Sequence, residues 1–271
     1  MPELPEVEIT RRGIEPHLLG SAVTAVNVRQ PKLRWPVTDN LEKILTGQRL
    51  SEIKRRGKYL LLRFEQGHLL IHLGMSGNLR VLAEQQAAGK HDHVDLFFDD
   101  GRCLRFTDPR RFGAVLWIDE PVEQHALLAK LGPEPLSSEF DGQYLFKASR
   151  KRNMPIKTFI MDQAVVVGVG NIYANEALYI AGIRPDRKAG SVSQKRYAAL
   201  ATAIIDTLES AIQQGGSSIR DFVGNEGKPG YFQQSLRVYG CGGKPCEQCK
   251  RPLTEVRIGQ RQTVFCSRCQ T

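Results

Sequence analysis

The sequence predicts an α+β protein with two domains, and three observations carry that prediction. Before residue 119, eight short runs rich in Val, Leu, Ile and Phe follow one another, separated by turn signals such as Asp99-Asp100-Gly101. After Gly132-Pro133-Glu134-Pro135 the apolar spacing becomes helical. Two Cys-x-x-Cys pairs close the chain. A length of 271 residues is enough for two domains with separate cores.

The chain is expected to start with a short helix. Pro5 suits the first turn, where the missing N–H would have no partner within the helix. Glu3 and Glu6 lie at or near the helix start, where the helix dipole favours negative charge. This helix is predicted to run toward Ile14 and to be limited by Pro16.

The N-terminal half then reads as an antiparallel β structure. Many short strands without helices between them favour a sandwich or a barrel. The predicted strands cover residues 22–28, 50–54, 59–64, 68–73, 79–82, 94–98, 103–106 and 114–118.

The C-terminal half reads as helical. The predicted helices cover residues 138–151, 156–162, 171–181 and 193–214, and a glycine-rich stretch follows at 215–230. We therefore expect a β domain over residues 1–131, a linker at 132–136, a helical domain at 137–235 and a cysteine-rich domain at 236–271.

The charge distribution favours a polyanionic partner. Residues 1–133 hold 19 Lys and Arg against 17 Asp and Glu, whereas residues 134–271 hold 19 against 12. A basic half of this kind points to nucleic acid, although a basic surface that only aids solubility is the alternative. No apolar run reaches the ~18 residues of a membrane helix, and the acidic first residues do not resemble an export signal. We expect a cytoplasmic protein with no membrane partner.

The four terminal cysteines predict a metal site. Cys246 and Cys249 are separated from Cys266 and Cys269 by sixteen residues, which is zinc-ribbon spacing. Disulfides or a redox pair are the alternatives, but no secretory leader and no βαβ context support them. Four thiolates leave no open position, so one structural Zn²⁺ is expected. Cys103 and Cys241 are left as free thiols, with Cys241 a possible rival ligand.

The N-terminal residues offer a nucleophile. Removal of Met1 would turn the ring nitrogen of Pro2 into a secondary amine, which can attack an aldehyde-like carbon and form an iminium. An α-amino group titrates near ~8 and a lysine side chain near ~10.4. At neutral pH the unprotonated fraction of the terminal amine is therefore up to roughly a hundredfold larger than that of a lysine. Proline at position 2 is common, and the alternative is an inert terminus.

Two turns carry side chains that could enter a base stack. Thr107–Gly113 contains Arg110 and Phe112, and Gly74–Gly77 contains Met75. Such side chains can fill the space of a displaced nucleotide, although Met and Phe more often belong to a core.

A third turn precedes a predicted helix. The run from Gly168 to Tyr173 fails as a dinucleotide loop, because Tyr173 stands where the last glycine is needed. It is interpreted as a tight turn that places Asn171 as the N-cap of the next helix. The exposed N–H groups there could hold a phosphate, or the turn could serve capping alone.

Two histidines and a cluster of basic residues are further candidates for metal binding or nucleic-acid contact. His91 and His93 could suggest a metal, but two histidines without a third ligand favour a surface or phosphate-contacting role. Lys147, Arg150, Lys151, Arg152 and Lys157 form a basic cluster. Such a cluster is usually a solvated face.

Taken together, these features resemble the formamidopyrimidine-DNA glycosylase family over essentially the whole chain. The resemblance rests on six motifs in order: Pro2-Glu3-Leu4-Pro5-Glu6, Gly57-Lys58-Tyr59-Leu60, His72-Leu73-Gly74-Met75-Ser76-Gly77, Thr107-Asp108-Pro109-Arg110-Arg111-Phe112-Gly113, Val167-Gly168-Val169-Gly170-Asn171-Ile172-Tyr173, and the zinc ribbon.

The resemblance implies a fold and a set of roles. It implies an N-terminal β-sandwich and a C-terminal helix–two-turns–helix domain with a zinc finger, with DNA between the lobes. Pro2 would be the nucleophile, Glu3 the acid/base partner, Lys58 a residue of β-elimination and phosphate binding, and Arg261 a phosphate contact that assists δ-elimination. The implied DNA-binding positions are His72, Met75, His91, Arg110, Phe112, Arg152, Lys157 and Asn171.

Among these, Met75, Arg110 and Phe112 would fill the void left by the extruded base, and the loop at 215–231 would close over the lesion. The resemblance further implies a monomeric bacterial enzyme, without a nucleotide cofactor, that excises oxidised purines from damaged double-stranded DNA in the cytoplasm, at the nucleoid. A preference for oxidised pyrimidines and a non-catalytic zinc-ribbon DNA-binding protein are the alternatives.

Overall fold

The structure is a computed structural model, and it describes residues 1–83, 86–215 and 236–271. The described chain forms two compact units. One is built on residues 1–129, and the other on residues 130–213 together with those from 236 onward. The predicted lesion-closing loop at 215–231 lies, apart from its first residue, outside the described residues.

Helix α1 (Leu4–Leu18) opens the first unit, with Pro5 in its first turn as predicted. The helix does not stop before Pro16 but continues through it to Leu18, so that limit was wrong. Pro16 lies in the last turn, where few hydrogen bonds remain to be lost. Ile14 and Leu18 are both 0% exposed, and their burial favours the added turn.

Eight strands follow, and they form two antiparallel sheets. The short helix α2 (Leu41–Leu45), which the sequence did not predict, lies between the first two strands. The strands are β1 (Val23–Val28), β2 (Glu52–Arg56), β3 (Tyr59–Phe64), β4 (Gly67–His72), β5 (Asn78–Leu82), β6 (Asp92–Phe98), β7 (Cys103–Thr107) and β8 (Ala114–Ile118). The sheet orders are β1-β6-β7-β5 and β2-β3-β4-β8.

One hydrophobic core joins these elements. It takes Val7 and Ile14 from α1, Leu60 and Leu62 from β3, and Leu104 from β7, among others. Two separate sheets that share one core form a sandwich, so the predicted sandwich is confirmed and the barrel is not formed.

The second unit is helical and ends in a small hairpin. Helix α6 is its longest helix, and both α3 and α5 pack against it. Its elements are α3 (Gly142–Ser149), α4 (Ile156–Met161), α5 (Asn171–Ile180), a 3₁₀ turn (Ala189–Ser191), α6 (Gln194–Gln213), β9 (Thr254–Ile258) and β10 (Arg261–Phe265). Within the described part of the chain, no helix has the length and apolar character needed to cross a membrane.

Helix α3 is shorter than its predicted range. It starts at Gly142 because Asp141 caps it, accepting a hydrogen bond from the Tyr144 N–H at 2.6 Å. Gly142 also permits a close approach to α6: a Cβ there would lie 2.4 Å from the Cα of Ala198. The β9–β10 hairpin was not predicted at all, because each strand has only five residues and polar residues interrupt both.

Candidate active site

The N-terminal residues are held in place by the start of α1. Pro2 is buried, and Glu3, at the N-cap position, is 2% exposed. The Glu3 N–H donates to Glu6 Oε2 at 2.8 Å, and Glu6 is 0% exposed. This is one half of a capping box, so the backbone beside the candidate nucleophile is fixed by a hydrogen bond.

Glu8 ties this helix to the first β-hairpin. Its carboxylate accepts hydrogen bonds from Arg11 and Arg12 on α1, and from Arg55 Nε on β2 at 3.1 Å. Burial alone would raise the pKa of Glu8, but the hydrogen bonds from Arg11 and Arg12 and the charge of Arg55 outweigh it and lower that pKa. Glu8 therefore stays ionised and anchors α1 to β2.

Lys58 lies at the tip of this hairpin. Arg56 pairs with Tyr59, so Gly57 and Lys58 form a two-residue turn. Gly57 has φ +57°, which suits the first position of a II′ turn and strains any other residue. Lys58 is 8% exposed, so its position is set by packing as well as by the turn.

His72 lies beside the same turn. It pairs across the sheet with Tyr59, and the two rings are 4.9 Å apart. Burial, together with the charges of Lys58 and Arg34, lowers the pKa of His72 to about 4. The Gly74 N–H donates to its Nδ1 at 3.0 Å, so the ring is neutral and carries its proton on Nε2.

The candidate void-filling residues lie on two loops of the first unit. Arg110 and Phe112 are exposed, and the guanidinium carbon of Arg110 lies 5.1 Å from the Phe112 ring centre. Met75 is half-buried on the preceding loop. An exposed phenylalanine side chain is not part of a core, which favours the wedge role over the core alternative for Phe112.

The two histidines near the start of β6 differ in their surroundings. His91 is partly exposed, as a DNA contact requires. His93 is 5% exposed, and its Nε2 lies 2.7 Å from the Asp108 carbonyl oxygen. Among the described residues, the grouping of potential metal ligands is the cysteine set and does not include these histidines.

In the second unit, Asn171 is not the N-cap that the sequence suggested. Gly170 is the N-cap of α5 and Asn171 is the first helical residue. The Gly170 backbone is extended, as is usual for an N-cap residue. Asn171 Oδ1 is buried, and the described residues offer it no hydrogen-bond partner. The neighbouring Asn175 instead holds the zinc hairpin: its Oδ1 accepts the Val264 N–H at 2.9 Å.

Lys157 is placed where a DNA contact is not possible without rearrangement. Its side chain is 1% exposed, and Nζ donates to the Gln262 carbonyl at 2.9 Å and to Thr263 Oγ1 at 2.6 Å. These bonds engage the amine of Lys157 inside the unit, which does not fit the DNA-binding position that the resemblance implies for this residue.

Arg152 and Arg261 are exposed, as DNA contacts require. Arg261 directly follows the Gly259-Gln260 turn, whose two residues have φ +52° and +60°. That geometry is a type I′ turn, which projects the first residue of β10 from the hairpin tip.

The four predicted zinc ligands come together. The Sγ atoms of Cys246, Cys249, Cys266 and Cys269 lie within 4.8 Å of one another. With Zn–S bonds of ~2.3 Å, a tetrahedral ion needs sulfur atoms roughly 3.8 Å apart. The observed separations of 3.4 Å and 4.0 Å fit this requirement. The site holds one structural zinc, and Cys241 is not in the group.

Two residues that the sequence analysis missed support this site. The Tyr179 hydroxyl lies 3.3 Å from Cys246 Sγ. The Glu176 carboxylate, 2% exposed, accepts the N–H groups of Arg237, Val238 and Tyr239 at 2.8–3.0 Å. Both lie on α5, one turn apart and inside the predicted helix 171–181, and nothing in their residue types indicated these long-range contacts.

Cys103 is a buried thiol of β7. It is 0% exposed, and burial and the neighbouring Asp95 raise its pKa to about 12. It therefore stays protonated and unreactive at neutral pH.

Comparison with known proteins gives one consistent answer. Three family models match: the formamidopyrimidine-DNA glycosylase N-terminal domain at residues 1–115, the H2TH domain of the same family at 131–223, and the zinc finger found in FPG and IleRS at 243–271. The chain is 59% identical to formamidopyrimidine-DNA glycosylase of Stutzerimonas stutzeri and 56% identical to that of Hahella chejuensis, in each case over 270 residues and 100% of both chains.

Solved structures agree. A mutant of Lactococcus lactis FPG bound to DNA containing Fapy-dG matches with a TM-score of 0.92 and 35% identity, covering 99% of each chain. MutM (FPG) from Thermus thermophilus matches with a TM-score of 0.89 and 38% identity, covering 99% of this chain and 98% of that one. The chain therefore belongs to the formamidopyrimidine-DNA glycosylase family.

Proposed function

We propose that this protein is a base-excision DNA repair enzyme that removes oxidised purines, 8-oxoguanine and formamidopyrimidines, and then cleaves the abasic strand. The observation that carries the proposal is full-length identity of 59% to a formamidopyrimidine-DNA glycosylase, with Pro2 and Glu3 at the buried N-terminal end of α1. Damaged double-stranded DNA is the substrate, as in the related complex with Fapy-dG-containing DNA.

The chemistry starts from the Pro2 nitrogen. While Met1 is attached, this nitrogen is a peptide amide and has no basic lone pair, so removal of Met1 is required. The amine forms a bond to C1′ of the deoxyribose as the bond from C1′ to the base breaks, and opening of the sugar ring leaves an iminium.

The iminium then draws electrons from the sugar. Loss of a proton from C2′ expels the 3′-phosphate, and a second elimination expels the 5′-phosphate. Glu3, next to the nucleophile, accepts and returns protons. Lys58 and Arg261 are the cations assigned to the departing phosphates. Lys58 lies in a two-residue hairpin turn, and Arg261 directly follows another.

DNA binding is assigned to both units. In the first, His72, Met75, His91, Arg110 and Phe112 contact the duplex, and in the second Arg152 and Asn171 do. The damaged base is extruded at a cost of a few kcal/mol, and Met75, Arg110 and Phe112 occupy its former place. This set favours the purine-directed chemistry.

The zinc holds the hairpin that carries Arg261 and takes no part in the reaction, because four thiolates complete its coordination. We assign the domains as expected from the sequence: the catalytic sandwich at 1–131, a linker at 132–136, the helical DNA-binding domain at 137–235 and the zinc finger at 236–271. We further infer a monomer without a nucleotide cofactor, acting in the bacterial cytoplasm on nucleoid DNA.

Borohydride trapping tests the mechanism. The mature protein is incubated with a duplex containing 8-oxoguanine, reduced with borohydride and resolved by denaturing electrophoresis. A covalent protein–DNA adduct is expected, and it should be absent in Pro2→Gly. No adduct under any condition would leave only the non-catalytic DNA-binding alternative.

Two further measurements complete the test. Competition between 8-oxoguanine and thymine glycol duplexes should favour the purine, and a faster pyrimidine reaction would reverse the assigned preference. The mass of the purified protein should show that Met1 is absent, and fully active material that retains Met1 would exclude Pro2 as the nucleophile.

A further inference from the structure

Asp108 lies where two loops of the first unit meet. We call residues 74–77 the Met75 loop and residues 108–113 the Phe112 loop. Asp108 is 0% exposed, and its Oδ1 accepts hydrogen bonds from Ser76 Oγ at 2.9 Å and from the Arg110 N–H at 3.3 Å. Its Oδ2 accepts the Gly113 N–H at 2.8 Å. One carboxylate therefore binds both loops.

The loops are also in direct contact. A Cβ on Gly74 would lie 2.4 Å from the carbonyl carbon of Phe112, so no other residue fits at position 74. Gly74 has φ +64° as well. A small shift of either loop would therefore move the other, or open a gap between them.

The backbone of Asp108 is fixed from the opposite side. Its N–H donates to the His91 carbonyl at 2.9 Å. Its own carbonyl lies 2.7 Å from His93 Nε2, and since a carbonyl only accepts, the ring nitrogen donates. The residue is thus held by the chain at the start of β6 while its side chain holds the two loops.

The chemistry of the Asp108 side chain suits a residue that accepts hydrogen bonds from two loops. In the parts of the chain that the structure describes, the donors to the Asp108 carboxylate are the Ser76 hydroxyl and the backbone N–H groups of Arg110 and Gly113, and none of these is a cation. Burying a charge on neutral donors alone is costly. A carboxylate nevertheless offers two oxygen acceptors and no donor, so it can satisfy all three groups at once. An amide or a hydroxyl in this place would present an N–H or O–H to one of them.

We propose that Asp108, acting with Ser76, is a positioning residue that holds the Met75 and Phe112 loops in one register, so that Met75, Arg110 and Phe112 enter the duplex as a unit. This inference rests on the proposed function, because it concerns how the extruded base is replaced. It assigns Asp108 no contact with the substrate.

The experiment compares two substrates that differ in their need for a wedge. A duplex containing 8-oxoguanine requires a paired base to be displaced, whereas a single-stranded abasic site does not. Ser76→Ala removes the bond from Ser76 to Asp108 and also the 3.3 Å bond that the Arg110 N–H donates to Ser76 Oγ, so it breaks the side-chain link between the loops. Asp108→Ala removes all three bonds to the carboxylate. Ser51→Ala is the matched control, because the Ser51 hydroxyl makes a local bond to the Arg63 carbonyl at 3.2 Å on an exposed edge.

Excision from the duplex should fall about tenfold in Ser76→Ala and about a hundredfold in Asp108→Ala, since hydrogen bonds to a charged group are the stronger class. Cleavage of the single-stranded abasic site should stay within about threefold of the wild type. This substrate has no paired base to displace, and the lost hydrogen bonds do not involve the residues that react with the sugar. With 2-aminopurine next to the lesion, the fluorescence rise that reports unstacking should be smaller in both variants and unchanged in Ser51→Ala.

If Asp108→Ala does not fold, the rates of Ser76→Ala on the two substrates test the inference without it. A duplex rate in Ser76→Ala equal to that of the wild type would overturn the inference, and so would equal losses on both substrates. A wild-type protein that cleaved neither substrate would instead overturn the proposed function, and the inference with it.

Discussion

Lys157 Nζ on α4 lies 2.6 Å from Thr263 Oγ1 on β10, and both residues are almost fully buried. A second bond to the Gln262 carbonyl, at 2.9 Å, continues the same contact. The lysine therefore joins the helical part of the second unit to the hairpin that carries Arg261. Its charge stabilises the zinc hairpin and is not directed to solvent.

Lys157→Met should lower stability without removing a DNA contact. The methionine keeps most of the buried length but leaves the Gln262 carbonyl and the Thr263 hydroxyl without their donor, at a cost of about 1–3 kcal/mol. Thermal unfolding with zinc bound measures the loss.

The salt dependence of DNA binding separates this role from a phosphate contact. Each lost phosphate contact reduces the slope of log affinity against log salt by about one. Arg152→Met, at an exposed position, should reduce that slope, and Lys157→Met should not. A reduced slope in Lys157→Met would show that the lysine does reach DNA.

The zinc site should be separable from the sandwich. Cys266→Ser removes one of four thiolates, so we expect loss of zinc and weaker DNA binding, because the hairpin that presents Arg261 loses its support. The first unit contributes no ligand and should keep its β structure. Metal analysis and circular dichroism test this, with Cys241→Ser as the control. Global unfolding of Cys266→Ser would contradict the prediction.

His72 should stay neutral well below pH 6. Burial and the charges of Lys58 and Arg34 lower its pKa to about 4, whereas an unfolded histidine titrates near ~6.5. Between these values the unfolded chain binds a proton that the folded chain does not, so stability should be lost as the pH falls from about 6.5 to about 4. The loss approaches about 3 kcal/mol, at ~1.4 kcal/mol for each pH unit.

Nuclear magnetic resonance of the His72 ring measures this directly. The neutral Nε2–H form should persist at pH 5, and His72→Gln should remove this contribution to the pH dependence of unfolding. A His72 resonance that titrates near pH 6.5 would contradict the prediction.

Gly57→Ala should slow strand cleavage by more than its loss of folding stability can explain. Gly57 has φ +57°, and an alanine held there costs about 1–2 kcal/mol. The strain is relieved by a change in the turn, which moves Lys58. Gly101→Ala is the matched control, because Gly101 has φ +85° with no atom near its missing Cβ and lies in another hairpin.

Both glycine variants should unfold at similarly lowered temperatures, and only Gly57→Ala should cleave abasic DNA more slowly, by about tenfold. Single-turnover cleavage at saturating protein measures the rate. Equal activity in the two variants would show that the turn does not position Lys58 for the reaction.

The strands of the first unit could be predicted because their pattern is local. Tyr59–Phe64 and Ala114–Ile118 occur at the predicted limits, since apolar runs and nearby turn residues define both. The C-terminal end of α1 could not be predicted from the sequence, because the burial of Leu18 in the core outweighs the local effect of Pro16 on the helix. The strands of the zinc hairpin were missed because each is five residues long and polar or charged residues interrupt both, so neither shows a clear apolar alternation.

By itself the sequence determined the zinc ligands, the candidate nucleophile and the loops that carry Met75, Arg110 and Phe112, because each is written in residue types at short spacing. Only the tertiary structure decided that Lys157 is a buried clamp, that Glu176 holds the start of the zinc finger, and that Asp108 joins two loops more than thirty residues apart. Burial and long-range hydrogen bonds set these roles, and neither is visible in the residue type of a lysine, a glutamate or an aspartate.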